Sequence, residues 1–377
     1  MSDPLLQPVE IAGLRLRNRV MMAPMTMYTA DADGTVSDSE LDFYRSRAEG
    51  PGLLLTGCTH VQPNGVGFIE EFAAYDDRFI PSLTALAQAA KSGGNAAVLQ
   101  IFHAGSKAIA SRLPDGAVVS ASSFVAPPSS QAPGGTITRA LTDAEIHDAI
   151  RAFGETTRRA IEAGFDGVEI HGAHGFLQQQ FLSPRYNTRT DSWGGSLEGR
   201  SRFGLETVRE VRRVIDAHAD RPFVLGYRVS PEEPEEGGLT FAESLGFVDL
   251  LLESGGVDYL HASLYDAVDG RPMSDPDGAP IARQIVDRVA GRVPVAAAGA
   301  MLTPARARDA LDLGLTTVAV GRGIVLNPDW VQLLGDGRER DLVTAFDTGK
   351  SAEQHRIPSG LDEMVRTTAG WFPLVDA

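Results

Sequence analysis

Eight short apolar runs, each followed by a stretch with helical patterning, constrain this chain more than any other feature it has. They occupy residues 19–23, 52–57, 96–102, 167–171, 223–230, 257–262, 293–298 and 317–321. Stretches such as Leu53-Leu54-Leu55 and Val295-Ala296-Ala297 are continuously apolar, which fits strands covered on both faces of a parallel sheet. Helix starts lie between the runs. Ser37 with Glu40, Thr142 with Glu145 and Thr240 with Glu243 have capping-box spacing, and Thr303 precedes a proline suited to a first helical turn. Over 145–164, Ile146, Ala149, Ile150, Phe153, Thr157, Ala160 and Ile161 form one stripe. Gly164, Gly255 and Gly314 stand where helices should stop. Strand then helix, eight times over, predicts an α/β fold of the closed (β/α)8 TIM-barrel type. A doubly wound open sheet is the competitor; the count of eight, and no Gly-x-Gly-x-x-Gly after the first run, favour the barrel. The chain fits one such domain spanning 1–377, with a short carboxy-terminal tail from about residue 334.

Two connections exceed what a barrel needs. Residues 104–141, after the third run, are rich in Ser, Pro, Gly and Ala and include Ala126-Pro127-Pro128-Ser129-Ser130; residues 172–200, after the fourth, are polar and contain glycines. Loops this long in a compact domain are usually functional lids or disordered segments. Both leave strand ends, on the face where barrels carry their chemistry. Composition narrows the partners. With 34 basic against 50 acidic residues the net charge is −16, which argues against nucleic acid or anionic lipid as the main partner. Cys58, the sole cysteine, excludes an intrachain disulfide framework, cysteine-ligated zinc and an iron–sulfur cluster. No run approaches the ~20 apolar residues of a membrane span, and residues 1–19 do not look like a signal peptide. The expectation is a soluble, cytoplasmic protein acting on a small molecule, with homo-oligomerisation left open. Trp371 and Phe372 are aromatic anchors suited either to a neighbouring subunit or to the chain's own barrel.

The strand ends are rich in hydrogen-bond donors and poor in acidic groups. The first leads to Pro24-Met25-Thr26-Met27-Tyr28, the third holds Gln100, and the fourth ends in Glu169-Ile170-His171-Gly172-Ala173-His174-Gly175-Phe176. The fifth carries Arg228, and the last two end in Gly299-Ala300 and Gly321-Arg322. A Schiff-base lyase would need a strand-end lysine, yet Lys91 and Lys107 fall in helix and loop. From Asn18-Arg19 to about Pro328 these segments resemble the old yellow enzyme family of flavin-dependent oxidoreductases. The most specific stretch is His171-Gly172-Ala173-His174-Gly175-Phe176-Leu177, continuing through Phe181-Leu182-Ser183-Pro184, Asn187, Arg189-Thr190-Asp191 and Trp193-Gly194-Gly195-Ser196. The Thr-Asp-Ser-Trp-Gly-Gly form and the closing Gly370-Trp371-Phe372-Pro373 are similar to a bacterial branch of NADH-dependent flavin reductases. The resemblance implies FMN as cofactor and NADH or NADPH as co-substrate. The acceptor it implies is an α,β-unsaturated carbonyl, a quinone or a nitro compound.

The residues make physical sense of that implication. Gly299, Ala300, Gly321 and Arg322 suit a phosphate, because glycines allow close backbone approach and arginine adds charge; ordinary turns are the alternative for either pair alone. Gln100 has the donor and acceptor faces a flavin's pyrimidine edge requires. Arg228 suits the negative charge near N1 and C2=O of a reduced flavin, its alternative being a surface ion pair with Glu232 or Glu233. By the resemblance Thr26 donates to the flavin C4=O, and Pro24, Met25 and Cys58 contact the ring. With no base partner, Cys58 reads as a small core residue and not a nucleophile. His171 and His174 are expected to donate to a carbonyl or nitro oxygen. A zinc site would need His103 or His261 as third ligand and has no supporting carboxylate spacing, so no metal is expected.

The departure is Phe176, where most members of the family carry the tyrosine that protonates the substrate α-carbon. Three readings stay open: Tyr28 takes the role, water does, or the acceptor needs no such proton. A non-catalytic or sensory FMN-binding barrel is the alternative to an enzyme.

Overall fold

The computed structural model describes residues 3–129 and 131–375. Met1, Ser2 and Ser130, which belong to segments read above, lie outside the described residues, as do Asp376 and Ala377. The eight runs become eight parallel strands: β1 (Val20–Met22), β2 (Leu53–His60), β3 (Ala96–Phe102), β4 (Gly167–Gly172), β5 (Val224–Val229), β6 (Tyr259–Ser263), β7 (Val295–Ala298) and β8 (Thr317–Val320). They pair in chain order, and β8 closes on β1. The register sets the site. Cys58 pairs with Gln100 and Gln100 with Glu169, while His171 pairs with Arg228 and Arg228 with His261. Two neighbouring layers near the strand ends thus hold most of the polar residues singled out above.

β2 runs past its expected end at 57 because a bulge separates Leu55 from Cys58. Thr56 and Gly57 are taken up there: the Gly57 N–H donates to the Tyr44 hydroxyl at 2.7 Å, and the Gln100 N–H donates to Thr56 Oγ1 at 3.4 Å. Helices α1 (Asp38–Arg45), α2 (Ile80–Ala90), α3 (Asp143–Ala163), α4 (Leu197–His218), α5 (Phe241–Glu253), α6 (Ile281–Val289), α7 (Pro304–Asp312) and α8 (Trp330–Gly335) cover the strands. The capping boxes at Thr142 and Thr240 are complete. The one expected at Ser37 is half made. Ser37 Oγ accepts from the Glu40 N–H at 3.2 Å, but the Glu40 side chain is buried instead of turning back, and neither carboxyl oxygen finds a partner among the described residues. Burial, with the Glu71 charge nearby, raises its pKa to about 8.

A hairpin ahead of β1, Val9–Ile11 with Leu14–Leu16, has no counterpart in the eight-run pattern. Its Ile11 and Leu16 pack with Met21, Leu53, Val98 and Tyr259, so apolar side chains fill the barrel beneath the site. The two long connections are packed against each other rather than standing free as lids. The second contains a helix, Leu177–Leu182, with all six residues buried. From it Gln180 Oε1 accepts from the Ser106 N–H at 3.0 Å and from Ser120 Oγ at 2.8 Å, both in the first connection.

The carboxy-terminal segment returns over the strand ends. Phe346–Asp347 pairs with Leu374–Val375, and the helix Ser359–Thr367 packs so closely that a Cβ on Gly360 would stand 1.7 Å from the Tyr28 carbonyl oxygen. Arg47, fully buried just beyond α1, ties this region together. Its guanidinium donates to the carbonyls of Ile324 at 3.2 Å, Val325 at 2.9 Å and Arg356 at 3.0 Å, and lies over the Phe43 ring at 3.9 Å. Arg47→Met leaves those buried acceptors without donors, so we expect a loss of about 3 kcal/mol. Urea unfolding of the flavin-free protein checks this; an unchanged midpoint contradicts it.

Candidate active site

A cavity of about 550 Å³ opens at the carboxy-terminal ends of the strands. All thirteen residues singled out as cofactor- or substrate-binding reach its wall. Pro24, Met25, Thr26 and Tyr28 arrive from the end of β1, Cys58 from the bulged β2, and Gln100 from β3. His171 and His174 come from β4, Arg228 from β5, Gly299 and Ala300 from β7, and Gly321 and Arg322 from β8. Phe176 lines it too.

One end is built from the turns after β7 and β8. A Cβ on Gly299 would come within 2.7 Å of the Leu264 carbonyl oxygen, so only glycine fits. Ala300 holds a left-handed φ of 50°, an uncommon conformation for a residue with a Cβ and one that clusters at ligand sites. Arg322 Nη1 donates to the Trp371 carbonyl at 2.8 Å, which draws the carboxy-terminal segment over this end. Trp371 lines the cavity and Phe372 is buried beside Phe346, so both anchors serve the chain's own barrel. Met364 and Thr368 also reach the cavity, and nothing in their local sequence marks them.

The opposite end is electrostatic. Arg228 is buried; its Nη2 donates to Ser263 Oγ at 3.0 Å, and its Nε has no partner among the described residues. Neither Glu232 nor Glu233 pairs with it. Glu233 instead accepts from Gln179 Nε2 at 2.7 Å, Ser183 Oγ at 2.5 Å and the Leu239 N–H at 2.9 Å. Beneath Arg228 lies Glu169, fully buried, which nothing in its local sequence marks as a site residue. It accepts from Gln100 Nε2 at 2.7 Å, from the Tyr259 hydroxyl at 3.0 Å and from His261 Nδ1 at 3.0 Å. Burial pushes the Glu169 carboxyl up, but His261, the Arg228 charge and the Gln100 amide outweigh it, and its pKa falls below the usual value. Burial keeps His261 neutral despite that carboxylate. Because Glu169 takes one Gln100 N–H, the Gln100 carbonyl is fixed on the side away from it.

His171 Nδ1 accepts from the Ala173 N–H at 3.2 Å, which leaves Nε2 as the protonated nitrogen. Burial, reinforced by the charges of His174 and Arg228, holds its pKa well below the usual imidazole value. His174 differs. Its backbone is left-handed at φ 59°, its carbonyl accepts from Lys107 Nζ at 2.6 Å, and its Nε2 contacts Ser263 Oγ at 2.7 Å. Ser263 Oγ accepts from Arg228, so its own proton is free to point at His174 Nε2, an arrangement that puts the His174 hydrogen on Nδ1. The pair sits with ring centroids 4.9 Å apart, and among the described residues His171 Nε2 has no protein partner while His174 Nε2 is engaged by Ser263. Phe176 packs edge-on to His171 and Phe102, each at 4.9 Å. Tyr28 is buried edge-on to Phe68 at 5.9 Å, with a left-handed φ of 55° and a pKa raised first by burial.

Cys58 Sγ lies 3.6 Å from Thr26 Oγ1, and burial pushes its thiol well up, so it is no thiolate. His103 is held by the Gly105 N–H and by Asn64, and burial takes its pKa down to about 3. Among the described residues no group of acidic, histidine or cysteine side chains could hold a metal ion, and no helix is long and apolar enough to cross a membrane.

A glycine-lined end beside an arginine, a polar edge of Thr and Gln, and a buried arginine with a free N–H fit FMN from phosphate to pyrimidine edge. A (β/α)8 barrel carrying that donor set at its mouth defines a flavin-dependent oxidoreductase. The chain belongs to the NADH:flavin oxidoreductase / NADH oxidase family, which matches residues 4–341. A Bacillus subtilis (strain 168) protein named "Probable NADH-dependent flavin oxidoreductase YqiG" is 41% identical over 375 residues, 99% of this chain and 98% of the relative. An NADPH dehydrogenase of Geobacillus thermodenitrificans (strain NG80-2) is 34% identical over 333 residues, 88% and 93% of the two chains. The solved structure of morphinone reductase in complex with tetrahydroNAD superposes with a TM-score of 0.79 at 25% identity, covering 100% of this chain and 98% of that one. The protein is an old yellow enzyme-type enzyme that uses FMN, with NADH or NADPH as reductant.

Proposed function

We propose that the reducing equivalents go to a small electron-poor acceptor, such as an α,β-unsaturated carbonyl, a quinone or a nitro compound, whose oxygen docks on His171. FMN, when bound, supplies the hydride relay between the nicotinamide and this acceptor. Gly299, Ala300, Gly321 and Arg322 hold its phosphate. Thr26 and Gln100 meet its polar ring edge, Pro24, Met25 and Cys58 pack against the ring, and Arg228 faces the side where negative charge collects. His171 donates its Nε2–H to the acceptor oxygen and steadies the charge that develops there. His174 stands beside it on the same wall, its Nε2 engaged by Ser263, and Tyr28 closes the far wall. One observation carries the reading: a neutral imidazole with its free N–H on the cavity wall, beside a phenylalanine that supplies no proton.

A phenol that forms a long-wavelength absorbance band over the flavin tests it. His171→Ala is expected to weaken phenol binding about 10- to 100-fold, the range for a lost hydrogen bond to a charged oxygen. Because His171 stays neutral, the parent's affinity between pH 6 and 8 should follow the phenol's own ionisation, with no imidazole step. An unchanged dissociation constant removes His171 from the acceptor site. Absence of anaerobic bleaching by NADH would return the barrel to a non-catalytic flavin binder.

A further inference from the structure

A second cavity of about 720 Å³ adjoins the first. The two share His174, Ser263, Leu264 and Tyr265 and so meet along these residues. Two cations face the second cavity, Lys107 and Arg271. Among the described residues neither has a carboxylate partner: Lys107 Nζ donates to the His174 carbonyl at 2.6 Å, and Arg271 donates to the carbonyls of Gly278 at 3.0 Å and Asp269 at 2.5 Å. Most acidic groups on the same walls are already engaged. Glu233 takes the three donors described above, Asp266 accepts both hydrogen bonds of Arg306 Nη2, and Glu232 accepts from the Met273 N–H at 3.1 Å. Glu235 stands exposed near Lys107. Between the cavities Tyr265 is 97% exposed, and Met273 on the rim is 55% exposed. An aromatic face this exposed is a platform for a second ring.

We propose that this second cavity binds the adenosine diphosphate tail of the reduced dinucleotide, with Lys107 and Arg271 on the pyrophosphate and Tyr265 under the adenine. The first cavity takes the flat head; the exposed tyrosine at the junction and the two cations of the second cavity offer the second flat ring and the dianionic link their partners, in a dinucleotide folded back on itself. The inference rests on the reading that a reduced nicotinamide serves the first cavity. Glu232 and Glu235 add a specificity: they accept ribose hydroxyls and repel an added 2′-phosphate, so NADH is preferred to NADPH.

Anaerobic reduction of the FMN-loaded enzyme tests it with two reductants, NADH and N-benzyl-1,4-dihydronicotinamide, which lacks the tail. Arg271→Met and Lys107→Met are each expected to raise the NADH dissociation constant about tenfold, and Arg271→Met, on the second cavity's wall alone, to leave the truncated reductant unaffected. ADP-ribose should compete with NADH in the parent and lose that competition in both variants. Coenzyme A separates the dinucleotide from an acceptor that bears a similar tail: competition by coenzyme A and not by ADP-ribose overturns the assignment. So does an NADH dissociation constant unchanged in both variants while the truncated reductant bleaches every protein. A parent that neither reductant bleaches overturns instead the reading of the first cavity, and the tail site with it.

Discussion

In Arg228→Met, FMN binds about 10- to 100-fold more weakly, and the flavin that remains bound has a midpoint potential lower by about 30–60 mV. The first effect is the loss of a charge-assisted donor whose Nε has no protein partner and whose desolvation is already complete. The second follows from the sign of the charge. A reduced flavin carries negative charge at this edge, so a fixed cation favours it over the oxidised form. Substitution also leaves Glu169 as the nearest buried charge, ionised and held by Gln100, Tyr259 and His261, and its field opposes reduction. Both changes therefore act in one direction. Arg228→Lys should recover part of the potential, because it returns the charge without the planar fork that reaches Ser263. Dialysis against FMN and potentiometric titration read the two quantities separately. A potential unchanged in Arg228→Met would show that the arginine faces some other part of the ligand.

The barrel was legible because its information is local. Each strand is a short apolar run bounded by helix caps and stops, and each run maps onto one of β1–β8 with ends shifted by a few residues. Pro294 explains one shift: its carbonyl accepts from the Leu260 N–H at 3.0 Å but it has no N–H to give, so β7 begins at Val295. The candidate site was legible for the same reason, since its residues follow strand ends. What escaped depends on contacts between distant segments. The bulge that carries Cys58 to the cavity wall is set by Tyr44 and Gln100, on a helix and a neighbouring strand. Glu169 looked like one more residue of a buried strand until its three donors, from β3 and β6, were brought beside it. Ser263 joins Arg228 to His174 across strand ends 35 and 89 residues away in sequence. Glu40 is the reverse case, a capping box by spacing whose carboxyl the helix packing buries. Met364 and Thr368 reach the site only because the carboxy-terminal segment folds back, which no periodicity in the tail reveals.

Phe176→Tyr is expected to raise turnover of a cyclic enone at least 100-fold, while leaving the rate of flavin reduction by NADH nearly unchanged. A positioned general acid contributes about 10²- to 10⁴-fold to a step that needs its proton. The ring that would carry the hydroxyl already packs against His171 and lines the cavity, so the substitution adds one oxygen without moving the backbone. Lys107 Nζ stands 5.6 Å from the ring centroid, and a nearby ammonium lowers a phenol's pKa, which makes the new hydroxyl a stronger donor. Quinones and nitro compounds accept hydride without protonation at carbon, so their turnover should change little, and the enone-to-quinone ratio isolates the proton step from binding. Tyr28 is the internal competitor. Its phenol is buried and its pKa is pushed up, so it gives up a proton less readily than a tyrosine at 176 beside that ammonium. Tyr28→Phe decides between them: if the parent's enone rate survives it, water supplies the slow background proton. Equal enone rates in the parent and Phe176→Tyr, with Tyr28→Phe abolishing both, would assign the proton to Tyr28 and make Phe176 a packing residue.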